Sequence, residues 1–406
     1  MVAVNPAPVA LGGVPARGGA VVASGEPTPS ATASATDGDD LVLTSSTLRV
    51  RIAGNGTIVS LVELASGREV LPQGRYGNLL QLHHDVPTRW DAWDLDASYR
   101  NTVQDVADGV ANLLPDGRVH VAAAFGDSAV EQWISLDPAL PQVRIRTAVD
   151  WHERHRLLKL AFPLDVHAPQ AAYETQFGHV TRPIHTNTSW DAARYEVCAH
   201  RWVHVAEPGF GAAVANDGIY GHDVTRQIDA GRVTTTVRQS LLRAPTFPDP
   251  HADQGLHEMV TVLAIAPTVA EAIIAGHAAC DPVRHLTGAR APEPLAWLAD
   301  GGSVVLEAVK LAADRSGDLI VRLYESAGAR SGATLHLNAA ARDSSGLYGA
   351  DGAGGVREVD LVEHELAAGA PVAIDSVASE GVRLTLRPFE VVTLRFARSA
   401  EGALGA

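Results

Sequence analysis

The residues best suited to bind or transform a polar ligand are concentrated between Tyr173 and Asp217. Tyr, His, Asp, Glu, Arg and Trp side chains alternate there with short apolar runs. An antiparallel β-scaffold requires only alternation and turns, so this density of Trp, His and Asp exceeds what the fold alone needs. The stretches 81–96 and 240–258 have the same character. Because aromatic rings stack on the apolar face of a sugar and carboxylates accept from its hydroxyls, these residue types favour carbohydrate recognition.

Candidate ligand-binding side chains fall in three predicted loops. The first carries two histidines and an aspartate followed by two tryptophans, the second an Asn-Thr-Ser-Trp-Asp run, and the third the turn NDGIYGHD. Each loop also has a structural interpretation, in which Trp anchors the loop on a sandwich and Asp or Asn caps a turn. The candidates for contact with a ligand are Asp85, Trp93, Trp190, Asp191, Tyr220, His222 and Asp223.

Two histidine pairs are close in sequence, but neither has the pattern of a metal site. His200 and His204 would face one ion on a helix, whereas their flanks, YEVCAH and HVAEPGFG, favour strand and turn. On a strand, at about 3.3 Å per residue, the two rings would stand roughly 13 Å apart. His152 and His155 do not form an HExxH motif. The sequence also lacks a nucleophile elbow, a phosphate-binding P-loop and a dinucleotide fingerprint. We therefore predict no metal-binding residues in this chain.

The elements that must position these loops are predicted to be antiparallel strands. Apolar residues alternate with polar ones at 48–52, 143–146 and 383–387, which is the period expected of strands with one wet face. Gly-Asn-Gly, Ser-Gly, Asp-Gly and Asn-Asp-Gly turns separate them. The best helical pattern is short, from Thr268 to Ala279. The fold class predicted is all-β and sandwich-like.

Changes in composition divide the chain into three predicted parts. Residues 1–40 hold N-terminal edge strands and a linker, since 24–38 is rich in Ser, Thr, Ala and Pro. Residues 41–290 form a large β-sandwich, and a new strand series begins after a Pro-rich break, so 291–406 form a small C-terminal sandwich. The Gly- and Ala-rich stretch 327–355 is predicted to be loops.

Composition excludes several classes of partner. The net charge of −15 over 406 residues disfavours nucleic acid and anionic membranes, which select basic faces. No apolar run is long enough for a membrane span, and the N-terminus lacks a signal-peptide pattern. The two cysteines do not make a disulfide framework, so a reducing, cytoplasmic location is predicted. Abundant Ala, Gly and Arg with only two lysines indicate a GC-rich bacterial genome.

Several blocks, in order, resemble the C-terminal β-rich region of family 38 glycoside hydrolases, the α-mannosidases. Asn5-Pro6 opens the region, and RPFEVVTLRF at 387–396 is near its end. The large sandwich of that region resembles the galactose mutarotase fold. The intervening blocks are LRVRIAGNGTIVSLVELASGREVL, DAWDLD, QFGHVTRP, NTSWDAARYEVCAHRWV, NDGIYGHDV, SLLRAPTFPDP, DQGLHE and LEAVKLAADRSGDLIVRLYE.

The resemblance implies retaining hydrolysis of α-mannosides, with an Asp nucleophile and a second carboxylic acid. In the family these groups, and the His and Asp ligands of a Zn²⁺ ion, lie on N-terminal and helical domains without counterpart in these 406 residues. The resemblance therefore implies no catalytic residue and no cofactor in this chain, and Zn²⁺ in the complete enzyme. The implied partners are an α-mannoside or other carbohydrate and the missing N-terminal catalytic domain. The NDGIYGHDV loop is the expected point of contact with substrate.

Alternatives to a C-terminal portion that is inactive alone remain open. One is a free-standing carbohydrate-binding β-sandwich. Another is an aldose-epimerase-like enzyme, which would need an acid–base pair converging in a cleft. That pair would combine His179 or His185 with Glu174 or Glu196, and sequence spacing does not decide whether they converge. Homo-oligomerisation also remains open.

Overall fold

A computed structural model of the chain describes residues 1–22, 33–229, 231–288, 290–338, 355–370, 372–378 and 381–398. Strands account for nearly all of its regular structure. The helices are a 3-10 helix (Ala97–Thr102), α1 (Ser189–Ala192) and α2 (Val269–Cys280). The strands are β1 (Val2–Val4), β2 (Gly19–Val21), β3 (Ala33–Asp37), β4 (Asp40–Thr44), β5 (Leu48–Ile52), β6 (Ile58–Glu63), β7 (Arg68–Glu69), β8 (Leu79–His84), β9 (Gln104–Asp105), β10 (Val110–Leu113), β11 (Val119–Phe125), β12 (Ser128–Leu136), β13 (Gln142–Trp151), β14 (Arg156–Leu164), β15 (Gln170–Thr175), β16 (Gly178–Pro183), β17 (Val197–Cys198), β18 (Trp202–Glu207), β19 (Phe210–Asn216), β20 (Gly221–Asp229), β21 (Arg232–Arg243), β22 (Gly255–Ile265), β23 (Arg284–Leu286), β24 (Ala296–Ala299), β25 (Val304–Leu311), β26 (Leu319–Glu325), β27 (Ser331–Leu337), β28 (Val356–Val359), β29 (Ile374–Ala378), β30 (Gly381–Leu386) and β31 (Val391–Phe396).

The chain divides into two units that do not follow its order. The larger unit comprises Gly25–Thr175 and Val180–Cys280. The smaller comprises Met1–Ser24, Gln176–His179 and Asp281–Ala406. The N-terminal residues thus group with the C-terminal part, because β1 pairs with both β2 and β23. The sequence offers no signal for a pairing across so long a separation.

The larger unit is built on two antiparallel sheets whose inner faces share one apolar core. One sheet has the order β10-β11-β12-β13-β22-β19-β18-β15-β16, and the other β17-β20-β21-β14-β8-β9. The shared core results from the alternation of apolar and polar residues along the strands. Strand β12, for example, buries every second residue, and its Val130 and Ile134 contribute to the core. Leu82 and Leu160 enter the same core from the six-stranded sheet. A five-stranded sheet, β3-β4-β5-β6-β7, completes this unit.

The smaller unit contains the predicted C-terminal sandwich. Two four-stranded sheets, β24-β27-β30-β29 and β25-β26-β31-β28, bury a separate core. Leu335 and Leu384 enter it from the first sheet, and Val321 and Leu394 from the second. The all-β class and the succession of a large sandwich and a small one are therefore confirmed.

The one helical segment predicted from the sequence is present as α2. Thr268 precedes it and Glu271 follows three residues later, and their side chains form a reciprocal capping box. Thr268 Oγ1 accepts from the Ala270 amide at 3.2 Å, and Glu271 Oε2 accepts from the Thr268 amide at 2.9 Å. Most of the helix is buried, and it packs on β19 and β22.

Two predicted loop regions contain strands. The second half of the predicted linker forms β3, which pairs with β4 across an Asp-Gly turn, and residues 23–32 lie outside the described residues. Within the predicted loops at 327–355, residues Ser331–Leu337 form β27, and 339–354 lie outside the described residues. Cys198 and Cys280 are thiols and do not form a disulfide with each other. Within the described residues, no helix is both long and apolar enough to cross a membrane.

Candidate functional site

The outer face of the six-stranded sheet carries a cluster of charged side chains. Register places Lys159 of β14 beside Gln81 of β8 and beside Ser240 of β21. Arg238, two residues before Ser240, lies opposite Asp223 of β20. Because side chains alternate along a strand, all five share the face that points away from the apolar core.

Lys159 is the centre of this cluster and is fully buried, with 0% of its side chain exposed. Its Nζ lies 2.6 Å from Asp223 Oδ2, 2.6 Å from Glu196 Oε2 and 3.0 Å from Tyr99 Oη. Burial alone disfavours the ammonium group, but the charges of Asp223 and Glu196 outweigh it and raise the pKa of Lys159. The ammonium group is therefore charged, and all three of its hydrogens have acceptors.

Asp223 is held by a second cation on its other oxygen. Arg238 Nη1 donates to Asp223 Oδ1 at 2.9 Å and to Thr225 Oγ1 at 3.0 Å, while its Nε donates to Gln81 Oε1 at 3.0 Å. Burial would raise the pKa of Asp223, but Lys159 and Arg238 together lower it. Asp223 is thus a carboxylate fixed between two cations, and it links β20 to β14 and β21.

Two segments outside the regular strands complete the cluster. Tyr99, on the 3-10 helix, donates its hydroxyl to Glu196 Oε2 at 2.9 Å, and burial raises its pKa to about 12. Glu196 precedes β17 and also accepts from Ser240 Oγ. Gly221 permits this packing, because a Cβ there would lie 2.9 Å from Ser240 Cβ. The cluster therefore joins the sheet to the chain segments that cover its outer face.

The loop between Asp85 and Asp96 is organised by one arginine. Arg243 Nε donates to Asp85 Oδ2 at 2.6 Å, and its Nη2 donates to the Asp94 carbonyl at 2.8 Å. Burial raises the pKa of Asp85, although Arg243 opposes this. The Trp93 side chain stays outside, and 66% of that residue is exposed. Of the two candidates in this loop, Asp85 is bound by Arg243 and serves the structure of the loop, whereas the indole of Trp93 remains accessible to a ligand.

In the second candidate loop, too, the acidic candidate has a structural role and the aromatic candidate is exposed. Thr188 caps α1, since its Oγ1 accepts from the Asp191 amide at 3.1 Å and donates to Asp191 Oδ2 at 2.7 Å. Asp191 also lies 3.4 Å from His185 Nδ1 and lines a cavity of about 240 Å³. Trp190 is 77% exposed. Asp191 thus supports the helix cap, and Trp190 offers a free aromatic face.

The third loop contains an Asx turn. Asn216 Oδ1 accepts from the amides of Gly218 and Ile219 at 2.9 and 2.6 Å, which leaves Tyr220 half exposed on the turn. His222 alternates with Asp223 and therefore points inward, where its Nδ1 donates to the Tyr220 carbonyl at 3.1 Å. Burial lowers the pKa of His222 to about 4, so the ring is neutral. Its Nε2 is buried and has no hydrogen-bond partner among the described residues.

The seven candidates therefore do not converge on one constellation. Asp223 alone belongs to the charged cluster, whereas the exposed aromatic candidates lie on separate loops. Whether any of the seven touches a ligand remains a prediction. Lys159 was not singled out in the sequence. Its position inside the apolar run LLKLAFPL was a usable signal, because a lysine buried there requires carboxylates nearby as counter-charges.

Neither a metal centre nor the acid–base pair of the epimerase alternative emerges from the histidines and carboxylates. Among the described residues, no group of three His, Cys, Asp or Glu side chains could hold a metal ion. His204 contacts the Ala266 carbonyl at 2.8 Å. Glu174 receives three hydrogen bonds from the Arg201 guanidinium, and Glu196 is bound by Lys159. Both carboxylates are thus committed to cations.

Comparison with known proteins identifies the family. Residues 43–251 match the profile described as "Glycosyl hydrolases family 38 C-terminal domain", and residues 303–394 match the "Glycosyl hydrolases family 38 C-terminal beta sandwich domain". The first match alone spans more than half of the chain. The chain therefore belongs to glycosyl hydrolase family 38, as its sequence blocks predicted, and carries the C-terminal β-domains of that family.

The relatives are α-mannosidases. The chain is 36% identical over 376 residues to Alpha-mannosidase 2C1 of Mus musculus and 37% identical to that of Homo sapiens. Each match covers 88% of this chain and 34% of the relative, so the chain spans about a third of their length. A crystal structure of an α-mannosidase from Enterococcus faecalis superimposes with a TM-score of 0.65 at 14% identity, covering 89% of this chain and 42% of that one. This likeness shows a common fold.

Replacing Lys159 by Met is expected to destabilise the larger unit by about 3–5 kcal/mol, because buried Asp223 and partly buried Glu196 would lose the cation that they share, and Arg238 would compensate only Asp223. Urea-induced unfolding measures this change. The chain supplies its own control in its second lysine, since Lys310 is exposed and pairs with Glu363 at the surface. Lys310→Met should cost less than about 1 kcal/mol. Equal effects of the two substitutions would contradict a stabilising role for the buried cluster.

His222 should make stability depend on pH between 6.5 and 4. Its pKa of about 4 in the folded chain lies below its ordinary value of 6.5, so in that range the unfolded chain binds a proton that the folded chain rejects. The contribution of neutral His222 to the free energy of unfolding is fully present above pH 6.5. It decreases by about 3 kcal/mol as the pH falls to 4. His222→Leu should remove this part of the decline in unfolding free energy, whereas exposed His251→Leu should not. Parallel profiles for wild type and His222→Leu would refute the assignment.

Proposed function

We propose that this chain is the C-terminal part of an enzyme that hydrolyses α-mannosides with retention of configuration. The observation that carries the proposal is the family match in both units, together with identity to α-mannosidases along nearly the whole chain. Its role is to support the catalytic domain and to form one side of the sugar site. The nucleophile and the general acid belong to an N-terminal catalytic domain, and the chain alone is inactive.

The contact with substrate is proposed to be aromatic rather than acidic. Trp93 and Tyr220 on loops and Trp190 on α1 expose their rings, and an exposed ring can stack on the apolar face of a mannose unit. Asp85 and Asp191 are bound by Arg243 and Thr188 and so have less capacity to accept from sugar hydroxyls. The exposed rings therefore support a role in carbohydrate binding, and the carboxylates support the loops that carry them.

The Zn²⁺ ion implied by the family finds no suitable ligand group among the described side chains. The described residues offer no three-ligand group of His, Cys, Asp or Glu. Zinc sites in enzymes take three protein ligands and keep one position open. We therefore assign the ion to the catalytic domain and derive no step through it here.

A bacterial cytosol is the proposed setting. Cys198 and Cys280 are not joined in a disulfide, and Cys198 is exposed, which suits a reducing compartment. The codon-related bias toward Ala, Gly and Arg supports a GC-rich bacterial source.

The 406-residue protein should not release nitrophenol from 4-nitrophenyl α-mannoside, with or without added Zn²⁺. The physical reason is that the nucleophile, the acid and the metal are all supplied elsewhere, and loss of a nucleophile alone costs several powers of ten in rate. Absorbance at saturating substrate measures this. A complete family 38 α-mannosidase in the same buffer is the positive control. Turnover above background that follows the protein through purification would refute the proposal that the chain alone is inactive.

A free-standing carbohydrate-binding module is the second candidate, and the exposed indoles favour it. In that case mannobiose should bind the isolated chain measurably in calorimetry. Trp93→Ala and Trp190→Ala should each weaken binding by about three- to tenfold, given roughly 0.5–1.5 kcal/mol for a stacked ring. Trp297→Ala is the matched control, because that half-exposed indole stacks on His336 in the other unit. A flat titration with wild-type protein would eliminate this candidate.

A further inference from the structure

A cavity of about 240 Å³ lies at the edge of the larger unit, where its two main sheets end. Its wall includes residues of β15 and β16, the last two strands of the nine-stranded sheet, and of β17 and β20, the last two strands of the six-stranded sheet. Helix α1 and the residues that follow it also contribute. The volume is just below the range for small-molecule sites, roughly 300–1,000 Å³, and therefore indicates a small ligand.

Arginines from both sheets face this cavity. On β20, Val224 packs against the apolar core, so Arg226, two residues later, lies on the same inward face of the strand. On the other sheet, Arg182 of β16 comes two residues before Ile184, which belongs to the core. The Arg182 guanidinium lies 4.6 Å from the centre of the Tyr173 ring. All five residues border the cavity, so Arg182 and Arg226 approach it from opposite sheets.

The Tyr173 hydroxyl supplies a further hydrogen-bond donor. The ring belongs to the apolar core, and the residue is 3% exposed. Its hydroxyl makes no hydrogen bond with any described residue, yet the oxygen is not closed off from solvent. Burial raises the pKa of Tyr173, although Arg182 opposes this, so the hydroxyl keeps its proton. A buried donor of this kind requires an acceptor, which a ligand oxygen would supply.

The charges around the cavity favour a doubly negative ligand. Arg182 donates to the Cys198 carbonyl at 3.3 Å and has no carboxylate partner among the described residues. Arg226 is exposed and makes no hydrogen bond or ion pair within the described part of the chain. Arg194 Nη1 lies 3.5 Å from Asp191 Oδ1, and Asp191 is the one described carboxylate in the wall. Three guanidinium groups against one carboxylate leave an excess of two positive charges.

That excess matches a phosphate better than a carboxylate. A phosphate monoester carries a charge of about −1.5 to −2 at pH 7, and its three free oxygens accept hydrogen bonds from several donors at once. A carboxylate carries one charge. Arg100 also borders the cavity, but it donates to the Tyr195 carbonyl and lies 3.7 Å from Asp223, so its charge is already paired. The stacking of Arg182 on Tyr173 fixes one donor before a ligand binds, which lowers the entropic cost of binding.

We propose that this cavity binds a small phosphate monoester. The phosphate oxygens accept from the guanidinium groups of Arg182 and Arg226 and from the Tyr173 hydroxyl. The remaining volume holds a compact organic body against the apolar side chains of Ile184 and Val224. The site is one for binding rather than catalysis, and it does not depend on the proposed mannosidase function. Its failure would leave that function untouched, because the two sets of tests use different ligands and different residues.

Calorimetry of the 406-residue protein with four probes tests the proposal. The probes are D-mannose 6-phosphate, phenyl phosphate, D-glucuronate and inorganic phosphate. At least one of the two monoesters should bind ten times more tightly than glucuronate, which carries a single charge, and more tightly than inorganic phosphate, which lacks an organic body. Absence of binding by both monoesters, or equal binding of glucuronate, would overturn the proposal. Equal binding of inorganic phosphate would indicate an adventitious ion only and would also overturn it.

Two substitutions assign the binding to this cavity. Arg226→Gln removes an exposed charge that supports no other residue, so the fold should be retained and the monoester should bind at least about tenfold more weakly. Tyr173→Phe keeps the ring beneath Arg182 and removes only the hydroxyl, which should weaken binding about three- to tenfold. Arg154→Gln, an exposed arginine outside the cavity, is the matched control and should have no effect. Unchanged affinity in both Arg226→Gln and Tyr173→Phe would contradict binding at this site.

Discussion

The burial of one ammonium group determines how the outer face of the six-stranded sheet is organised. Removing Lys159 from water costs several kcal/mol, which only well-placed counter-charges can offset. Those charges come from Asp223 on a neighbouring strand and from Glu196 on a covering segment. The inner face of the sheet is held by apolar packing that tolerates many sequences, but the outer face is held by contacts with fixed geometry. Segments that have no regular strand pairing are consequently fixed to the sheet.

The same device recurs on a smaller scale in the candidate loops. Arg243 binds the Asp85 carboxylate and three carbonyls of the following loop, so the backbone bearing Trp93 is rigid although its indole is exposed. A rigid exposed ring loses little conformational entropy when a ligand stacks on it. In this loop the arginine holds the backbone in place, and the exposed tryptophan is available for a ligand. The charged residues therefore act mainly by fixing the loops that carry the aromatic side chains.

Local pattern was sufficient to predict the all-β class, the strands at 48–52, 143–146 and 383–387, and α2, because alternation and turn residues are encoded within a few residues. It was not sufficient where partners are distant in sequence. The pairing of β1 with β23 and the meeting of Lys159 with Asp223 join segments that share no local signal. Sequence composition also marked Ala33–Asp37 as linker, since a strand of small polar residues resembles a linker in composition until its pairing with β4 is known.

The density of polar residues between Tyr173 and Asp217 has a physical explanation that differs from catalysis. Irregular backbone leaves amides and carbonyls without ladder partners, and buried ones must be satisfied by side chains. Glu174 accepts from the Arg201 amide at 2.7 Å, Thr188 caps α1, and Asn216 caps its turn. Residues of this kind are typical of active-site loops because such loops are irregular, so the pattern marks the loop before it marks the chemistry. The exposed rings of Trp93, Trp190 and Tyr220 take no part in this satisfaction of backbone groups, so the needs of the fold do not explain why these positions are aromatic.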